Sequence, residues 1–235
     1  MRKITTTLCL IFSILVGSAG VSAQADYQKG VDAYRKSDYA TALKQWTIIA
    51  EQGDAVAQLN LGTMYYRGQG TPKDNKMAAK WYRLAAKQGY AKAQHSLGLL
   101  YENGTGVTKD ANSAMKWYKL AAKQGSPHSA FALGLMHSKG DGIPQDYKEA
   151  VKWFRLASGW GHIPSQFNLG KFYYFGDGVQ KDYVRAHMWW DIVARSGDKA
   201  GVQTRDTVAN KMTLSQLKKS KKLARECVAK KYKGC

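Results

Sequence analysis

The strongest constraint on the fold is a period of 36 residues that runs through most of the chain. The ten residues KWYRLAAKQG, from Lys80 to Gly89, return as KWYKLAAKQG from Lys116 to Gly125, and weaker copies follow at 152–161 and 188–197. Other glycines, aspartates and alanines keep the same spacing: Gly62, Gly98, Gly134, Gly170; Asp74, Asp110, Asp146, Asp182; Ala78, Ala114, Ala150, Ala186. A repeat of this length is one supersecondary unit that buries its apolar face against its neighbours, so the chain is predicted to fold as an array.

Each copy has the pattern of two helices. The second helix is predicted to begin at the repeated aspartate, because a carboxylate there can accept backbone N–H bonds as an N-cap. Its apolar residues in the first copy share one wide face: Ala78, Trp81, Tyr82, Ala85, Ala86. Gly89 is predicted to end this helix in a left-handed conformation. On the first helix, Gly62 is expected to let its partner helix approach closely.

Several of these residues together resemble the Sel1-like repeat family, whose members are related to tetratricopeptide repeats. The matching residues are A-Q-x-x-L-G-x-x-Y at 57–65, G-x-G at 68–70, Asp74, Ala78, Trp81-Tyr82, Ala85-Ala86 and Gly89. The resemblance implies an all-α fold, a right-handed α-solenoid of antiparallel helix pairs. The third copy departs most, since His137 replaces a tyrosine and Gly159-Trp160 is expected to fray the end of a helix.

Four regions follow from this pattern. Residues 1–25 have a basic start, a short apolar run and small residues, which is typical of a secretory signal peptide cleaved after Ala23 or Ala25. Residues 26–53 are predicted to form a tetratricopeptide-like helix pair, 54–197 the four repeats, and 198–235 a basic helical cap. The mature protein would then be periplasmic or secreted, without a transmembrane segment; an uncleaved anchor is the alternative.

The C-terminal cap concentrates positive charge and both remaining cysteines. The net charge is +19, and eleven of the 36 lysines and arginines lie in 197–235. Export disfavours nucleic acid as the partner, which leaves an anionic envelope glycan, an acidic protein, or a basic surface that only keeps the cap soluble. The candidate binding residues of this basic cap are Lys218, Lys219, Lys221 and Lys222. Cys227 and Cys235 are predicted to form a disulfide, with two free thiols as the alternative.

Catalytic and metal-binding patterns are weak in this sequence. The five histidines lack zinc-like spacing, and His137 is expected to pack in the core. Ser-x-x-Lys tetrads occur at 113–116, 196–199 and 215–218, but the S-D-N and K-T-G motifs of β-lactam enzymes are missing from the sequence. We therefore expect no metal, no cofactor and no enzymatic activity, and a β-lactam-binding or hydrolysing enzyme is the least favoured alternative.

The remaining candidate is a surface on the first helix of each repeat, at positions opposite the core face. Family resemblance implies that this helix lines a concave side, so the row is a candidate groove for a protein partner. Its members are Leu59, Thr63, Tyr66, His95, Leu99, Glu102, Phe131, Leu135, Ser138, Phe167, Lys171 and Tyr174. Partial burial of these side chains by neighbouring helices is the alternative. Trp81, Trp117 and Trp153 are expected in the core. The sequence thus favours an exported protein-interaction scaffold of the bacterial envelope.

Overall fold

The structure is a computed structural model that describes residues 25–235. The predicted signal peptide therefore lies outside the described residues, apart from Ala25. Contacts divide the chain into unit 1, residues 1–109, and unit 2, residues 110–235, and each is described by itself. The described part of unit 1 contains α1 (25–35), α2 (Tyr39–Glu51), α3 (Ala55–Arg67), α4 (Asn75–Lys87) and α5 (Ala91–Asn103). Unit 2 contains α6 (Ala111–Lys123), α7 (Pro127–Lys139), α8 (Tyr147–Gly159), α9 (Ile163–Phe175), α10 (Tyr183–Ala194), α11 (Lys199–Ala209) and α12 (Leu214–Ala229).

The repeated aspartates cap the second helix of each pair, as predicted. Asp74 Oδ1 accepts hydrogen bonds from the backbone N–H groups of Lys76 and Met77, both at 2.9 Å. Asp110, Asp146 and Asp182 accept the equivalent bonds at the starts of α6, α8 and α10. These bonds satisfy N–H groups that lack a partner within the helix, so one residue per repeat sets where the helix begins.

The expected fraying of α8 is wrong. This helix runs to Gly159 and has 13 residues, the same length as α4 and α6. The N–H of Trp160 bonds to the carbonyls of Ala157 and Ser158, which closes the last turn, and Gly161 then takes a left-handed φ of 78°. The stop signal that Gly89 provides in the first copy, at φ 90°, is therefore intact in the third.

Glycines on the first helices allow the close approach that the sequence predicts. A Cβ atom on Gly62 would lie 2.7 Å from a ring carbon of Tyr82, and one on Gly134 would lie 2.6 Å from Phe154. Real Cβ contacts are longer than this, so α3 and α7 could not pack as closely against α4 and α8 with any other residue.

The core face of α4 is confirmed, because Ala78, Trp81, Tyr82, Ala85 and Ala86 are all buried. The expectation for the later tryptophans is wrong: Trp117 and Trp153 are only partly buried. The next residues, Tyr118 and Phe154, are fully buried instead. One residue is a 100° step on a helix, and in α8 it is Phe154 that stands opposite Gly134.

The C-terminal helix packs on unit 2 through one face. Thr213 caps α12, in a capping box with Gln216. Its buried residues are Ser220, Ala224 and Cys227, whereas Val228 is exposed. The register is fixed in part by a buried hydrogen bond of 3.0 Å between Ser220 Oγ and His187 Nδ1 of α10.

The structure joins Cys227 to Cys235, whose Cα atoms lie 5.6 Å apart. The short chain segment that follows α12 is thereby held against the helix that precedes it. Within residues 25–235, no helix combines the length and the apolar character that crossing a membrane would require.

Candidate functional site

Six of the twelve predicted groove residues line two clefts, one in each unit. Thr63, Tyr66 and Leu99 line a cleft of about 200 Å³ in unit 1, between α3, α4 and α5. Phe167, Lys171 and Tyr174 line a larger cleft in unit 2. The other predicted members, Leu59, His95, Glu102, Phe131, Leu135 and Ser138, are partly buried and do not line either cleft.

The unit 1 cleft has a polar floor. Tyr82 donates its phenol hydrogen towards Thr63 Oγ1 at 3.2 Å, and burial raises the pKa of Tyr82 above its ordinary value. Lys73 Nζ lies 5.5 Å from the centre of the Tyr66 ring, within cation–π range. Leu99 is the exposed apolar side chain at this cleft. The small volume and the polar floor make it the weaker of the two candidates.

The unit 2 cleft, which we call the α9–α11 cleft, measures about 460 Å³. Aromatic rings form its floor, and short polar side chains from α11 form one wall. Its residues are Phe167, Lys171, Tyr174, Phe175, Trp190, Gln203, Thr204 and Thr207. An apolar cavity with a few polar groups at its edge is the usual form of a specific binding site.

Phe175 is the residue that sequence reasoning missed. This large apolar residue is 60% exposed. The centre of its ring lies 5.0 Å from the centre of the Tyr174 ring. A signal was present in the repeat itself. The same position holds Arg67, Asn103 and Lys139 in the earlier copies. The last residue of this helix is therefore polar in three copies and apolar only in the fourth.

The expectation that the groove aromatics face away from the core is wrong. Phe131, Leu135, Phe167 and Tyr174 all pack against the core of unit 2. The Phe131 ring lies 5.8 Å from that of buried Phe154, and Trp190 Nε1 donates to the backbone carbonyl of Phe167 at 3.1 Å. A helical wheel gives the direction of each Cβ, but long aromatic side chains bend back over the neighbouring helix, and partial burial follows.

Lys211, in the turn between α11 and α12, contacts Tyr174, a residue that lines the α9–α11 cleft. Its Nζ donates to the phenol oxygen of Tyr174 and lies 4.9 Å from the centre of that ring and 5.8 Å from that of Tyr183. The hydrogen bond to Tyr174 raises the pKa of Lys211 above its ordinary value, so the charged form is favoured. This contact ties the turn between α11 and α12 to Tyr174 of α9 and Tyr183 of α10.

The four lysines of the basic cap, Lys218, Lys219, Lys221 and Lys222, are all exposed on α12. Lys222 Nζ lies 3.9 Å from Glu226 Oε1, an i,i+4 pair at the solvent surface. Such a pair contributes little to stability. The cap therefore presents positive charge to solvent.

The sequence patterns considered for metal binding and catalysis have the following surroundings in the described part of the chain. Residues 25–235 contain no cluster of three or more His, Cys, Asp or Glu side chains that could hold a metal ion. In the tetrad at 113–116, Ser113 Oγ donates to Asp110 Oδ2 at 2.6 Å, so the hydroxyl belongs to a helix cap. His137 is half-buried, and burial lowers its pKa below the ordinary value.

The capped helix pairs, the glycine at each close approach and the left-handed glycine at each helix end together define an α-solenoid of repeated helix pairs. The Sel1 repeat profile matches four consecutive segments: 55–90, 91–126, 127–158 and 163–198. These segments cover more than half of the chain, so the protein belongs to the Sel1 repeat family. The third match stops at residue 158, just before Gly159-Trp160.

Solved structures with the same fold are known. A Sel1 repeat protein from Oxalobacter formigenes is 33% identical, with a TM-score of 0.72 over 84% of this chain and 82% of that one. A protective antigen present in uropathogenic Escherichia coli strains, displaying an SLR fold, is 27% identical with a TM-score of 0.52; the match covers 89% of this chain and 54% of the antigen. A Sel1 repeat protein from Klebsiella pneumoniae, 21% identical with a TM-score of 0.51 over 80% and 93% of the two chains, shares the fold alone. No curated protein matches the sequence.

Proposed function

We propose that this Sel1 repeat protein is an exported scaffold that binds a protein partner in the bacterial envelope or on a host, without catalysis. The observation that carries the proposal is Phe175, a large apolar side chain that is 60% exposed at the edge of an aromatic cleft. Sel1 repeats form a scaffold fold that typically mediates protein–protein interaction. At the α9–α11 cleft, Phe175 replaces the polar residues that the earlier copies have at the same position.

The energetics favour a protein ligand at this cleft. Burying a phenylalanine side chain contributes about 1.5–3 kcal/mol relative to leaving it in water. Aromatic residues of this kind form the small group of hot spots that dominate binding energy at interfaces. Lys171 and the hydroxyls of Thr204 and Thr207 can fix the orientation of a partner around the apolar centre.

The envelope location rests on the sequence of residues 1–25. The basic start at Arg2 and Lys3, the apolar run and the small residues at Ala23 and Ala25 support Sec-type export. An oxidising compartment also suits the bond between Cys227 and Cys235.

The experiment is affinity capture from the envelope fraction with three baits. The first bait is the wild-type chain, the second carries Phe175→Ser, and the third carries glutamine at Lys218, Lys219, Lys221 and Lys222. Proteins retained by the wild type and by the lysine variant, but lost with Phe175→Ser, are partners of the α9–α11 cleft. Equal recovery on the wild-type and Phe175→Ser baits would contradict the proposed site.

An anionic glycan held by the basic cap is the second candidate, favoured by the four exposed lysines of α12. Exposed charges are screened by salt, so this binding would weaken between low and moderate ionic strength. Loss of binding with the lysine variant and retention with Phe175→Ser would select the glycan over the protein partner.

A further inference from the structure

Unit 2 contains a second cleft that shares no residue with the α9–α11 cleft. It measures about 580 Å³ and lies between α8, α10 and the segment after α12. We call it the arginine cleft, and its principal side chains are Arg155, Leu156, Trp160, Arg185, Tyr232 and Lys233. Three of these six carry positive charge, and none of the described residues that line the cleft is acidic.

Two guanidinium groups converge on one buried phenol at this cleft. Tyr173 is only 4% exposed, and its oxygen accepts hydrogen bonds from Arg155 Nη2 at 2.7 Å and from Arg185 Nη1 at 3.1 Å. Both guanidinium carbons also lie over the Tyr173 ring, at 5.9 and 5.4 Å from its centre. The tyrosine therefore holds two like charges close together at the protein surface.

This pair has little internal compensation. Arg185 Nε lies 3.5 Å from Asp182 Oδ2, a distance at the long end for an ion pair, and Asp182 also caps α10. Arg155 hydrogen-bonds to the phenol and, within residues 25–235, is not paired with a carboxylate. Each guanidinium has five N–H donors, so most donors of the pair are available to a ligand.

A carboxylate is the ligand that fits the pair. The planar guanidinium fork matches two carboxylate oxygens, and such charge-assisted hydrogen bonds are stronger than neutral ones. An anion between the two arginines would also relieve their mutual repulsion. Lys233 adds a third positive charge at the same cleft.

Apolar surface next to the arginines distinguishes a peptide from a simple anion. Leu156 is 41% exposed and Trp160 is 42% exposed, and both line the arginine cleft. A peptide that places an apolar side chain near an acidic residue can use both surfaces at once, whereas a simple anion such as inorganic phosphate would leave Leu156 and Trp160 in water.

We propose that the arginine cleft binds an acidic segment of a partner protein. An aspartate or glutamate carboxylate of that segment lies between Arg155 and Arg185, and a neighbouring apolar side chain of the segment packs on Leu156 and Trp160.

The disulfide completes this cleft. Tyr232, Lys233, Gly234 and Cys235 form one of its walls, and the bond to Cys227 anchors them. The Tyr232 ring packs on the C-terminal end of α8, 3.3 Å from where a Cβ atom on Gly161 would stand. Reduction frees this segment, so binding of the acidic peptide should require the oxidised protein.

The experiment is fluorescence polarisation with the purified mature chain and a short fluorescein-labelled peptide of alternating Glu and Leu. Arg155→Gln and Arg185→Gln are each expected to raise Kd about five- to tenfold, since each removes a charged hydrogen-bonding partner. The matched control is Arg83→Gln, because Arg83 donates the equivalent bond to Tyr101 in unit 1, at 3.1 Å, and among residues 25–235 no second arginine bonds to that oxygen. This control should bind like the wild type.

Three further arms separate the alternatives. The same peptide with Gln in place of Glu should bind at least about fivefold more weakly. Trp160→Ser should weaken the Glu–Leu peptide but not a Glu–Ser peptide. Mild reduction, checked by thiol labelling of Cys227 and Cys235, should lower affinity while the melting curve still shows a folded chain.

The proposal is overturned if Arg83→Gln and Arg155→Gln weaken binding equally, or if the Gln–Leu peptide binds as tightly as the Glu–Leu peptide. It is also overturned if inorganic phosphate or heparin displaces the peptide while Trp160→Ser changes nothing. The last result would assign the cleft to a simple anion or a glycan. Phe175→Ser lies outside the cleft and should leave peptide binding unchanged, so this test does not depend on the α9–α11 cleft.

Discussion

Gly134 of α7 lies directly beneath the ring of Phe154 of α8, where a Cβ atom would stand 2.6 Å from the ring carbons. The same relationship joins Gly62 to Tyr82 two repeats earlier, at 2.7 Å. The glycine of the first helix and the aromatic residue of the second thus form one contact that recurs with the period of the sequence. This contact sets how closely the two helices of a pair approach.

Substitution of Gly134 by alanine should therefore destabilise the protein. Alanine is the better helix former by about 1 kcal/mol, so propensity alone predicts a more stable helix. Overpacking against Phe154 should outweigh this gain and cost about 1–3 kcal/mol. The measurement is urea or thermal unfolding.

The matched control is Gly159→Ala at the end of α8. Its nearest atom is the Tyr232 carbonyl oxygen at 3.9 Å, an ordinary contact, so this variant should be neutral or slightly stabilised. Equal effects of the two substitutions would show that the close approach at Gly134 does not limit packing.

Phe154 and Trp153 are neighbours in the sequence with different surroundings, so replacing each by alanine should cost different amounts of stability. Phe154 is fully buried among the rings of Phe131 and Phe172, so Phe154→Ala should cost about 3–5 kcal/mol. Trp153 is only partly buried, and Trp153→Ala should cost clearly less. A larger loss at Trp153, measured by the same unfolding experiment, would contradict the assignment of Phe154 to the core.

His162 should make the stability of unit 2 depend on pH. Burial, together with the neighbouring His128, lowers its pKa from 6.5 to about 4, and the His128 and Phe131 rings lie 5.0 and 4.9 Å from its own. The unfolded chain binds a proton more readily than the folded one between these values. The contribution of neutral His162 to the free energy of unfolding is therefore complete above pH 6.5 and is lost as the pH falls towards 4.

The direct measurement is NMR titration of the His162 ring protons, with unfolding followed in parallel at several pH values. His162→Asn keeps a polar residue at the start of α9 and should flatten the fall in stability between pH 6.5 and 4. A titration midpoint of His162 near 6.5 would contradict the prediction.

Export should be visible at the N-terminus of the mature chain. Cleavage after Ala23 or Ala25 predicts an N-terminal residue of Gln24 or Asp26 in the envelope fraction or the medium. N-terminal sequencing or intact mass measures this directly. A chain from these fractions that still begins Met-Arg-Lys would rule out the signal peptide.

The period made much of the fold predictable because it repeats local signals. Asp74 and its copies identify helix starts, Gly89 and its copies identify helix ends, and Gly62 marks the close approach. Each of these roles depends on backbone geometry within a few residues, which a sequence pattern records well.

Side-chain exposure was less predictable because it depends on contacts between helices. Phe131 and Phe167 have Cβ atoms opposite the core face, yet their rings pack on Phe154 and Trp190 of the next helix. The arginine pair on Tyr173 joins residues of three helices, so the sequence pattern of a single helix could not predict it. Comparison of Arg83, Lys119 and Arg155, one repeat apart, with Tyr101, His137 and Tyr173 would have revealed part of it.

If Phe175 anchors a protein partner, as we propose, its loss should weaken binding far more than the loss of another exposed apolar residue. Leu214 is 79% exposed at the start of α12 and does not line the α9–α11 cleft, so Leu214→Ser is the matched control for Phe175→Ser. The partner captured by the wild type is purified, and its Kd is measured for both variants. Phe175→Ser should raise Kd at least about 30-fold, as loss of a hot spot does, with an unchanged melting temperature, and Leu214→Ser should bind as the wild type does. Equal affinities for the two variants would contradict the account.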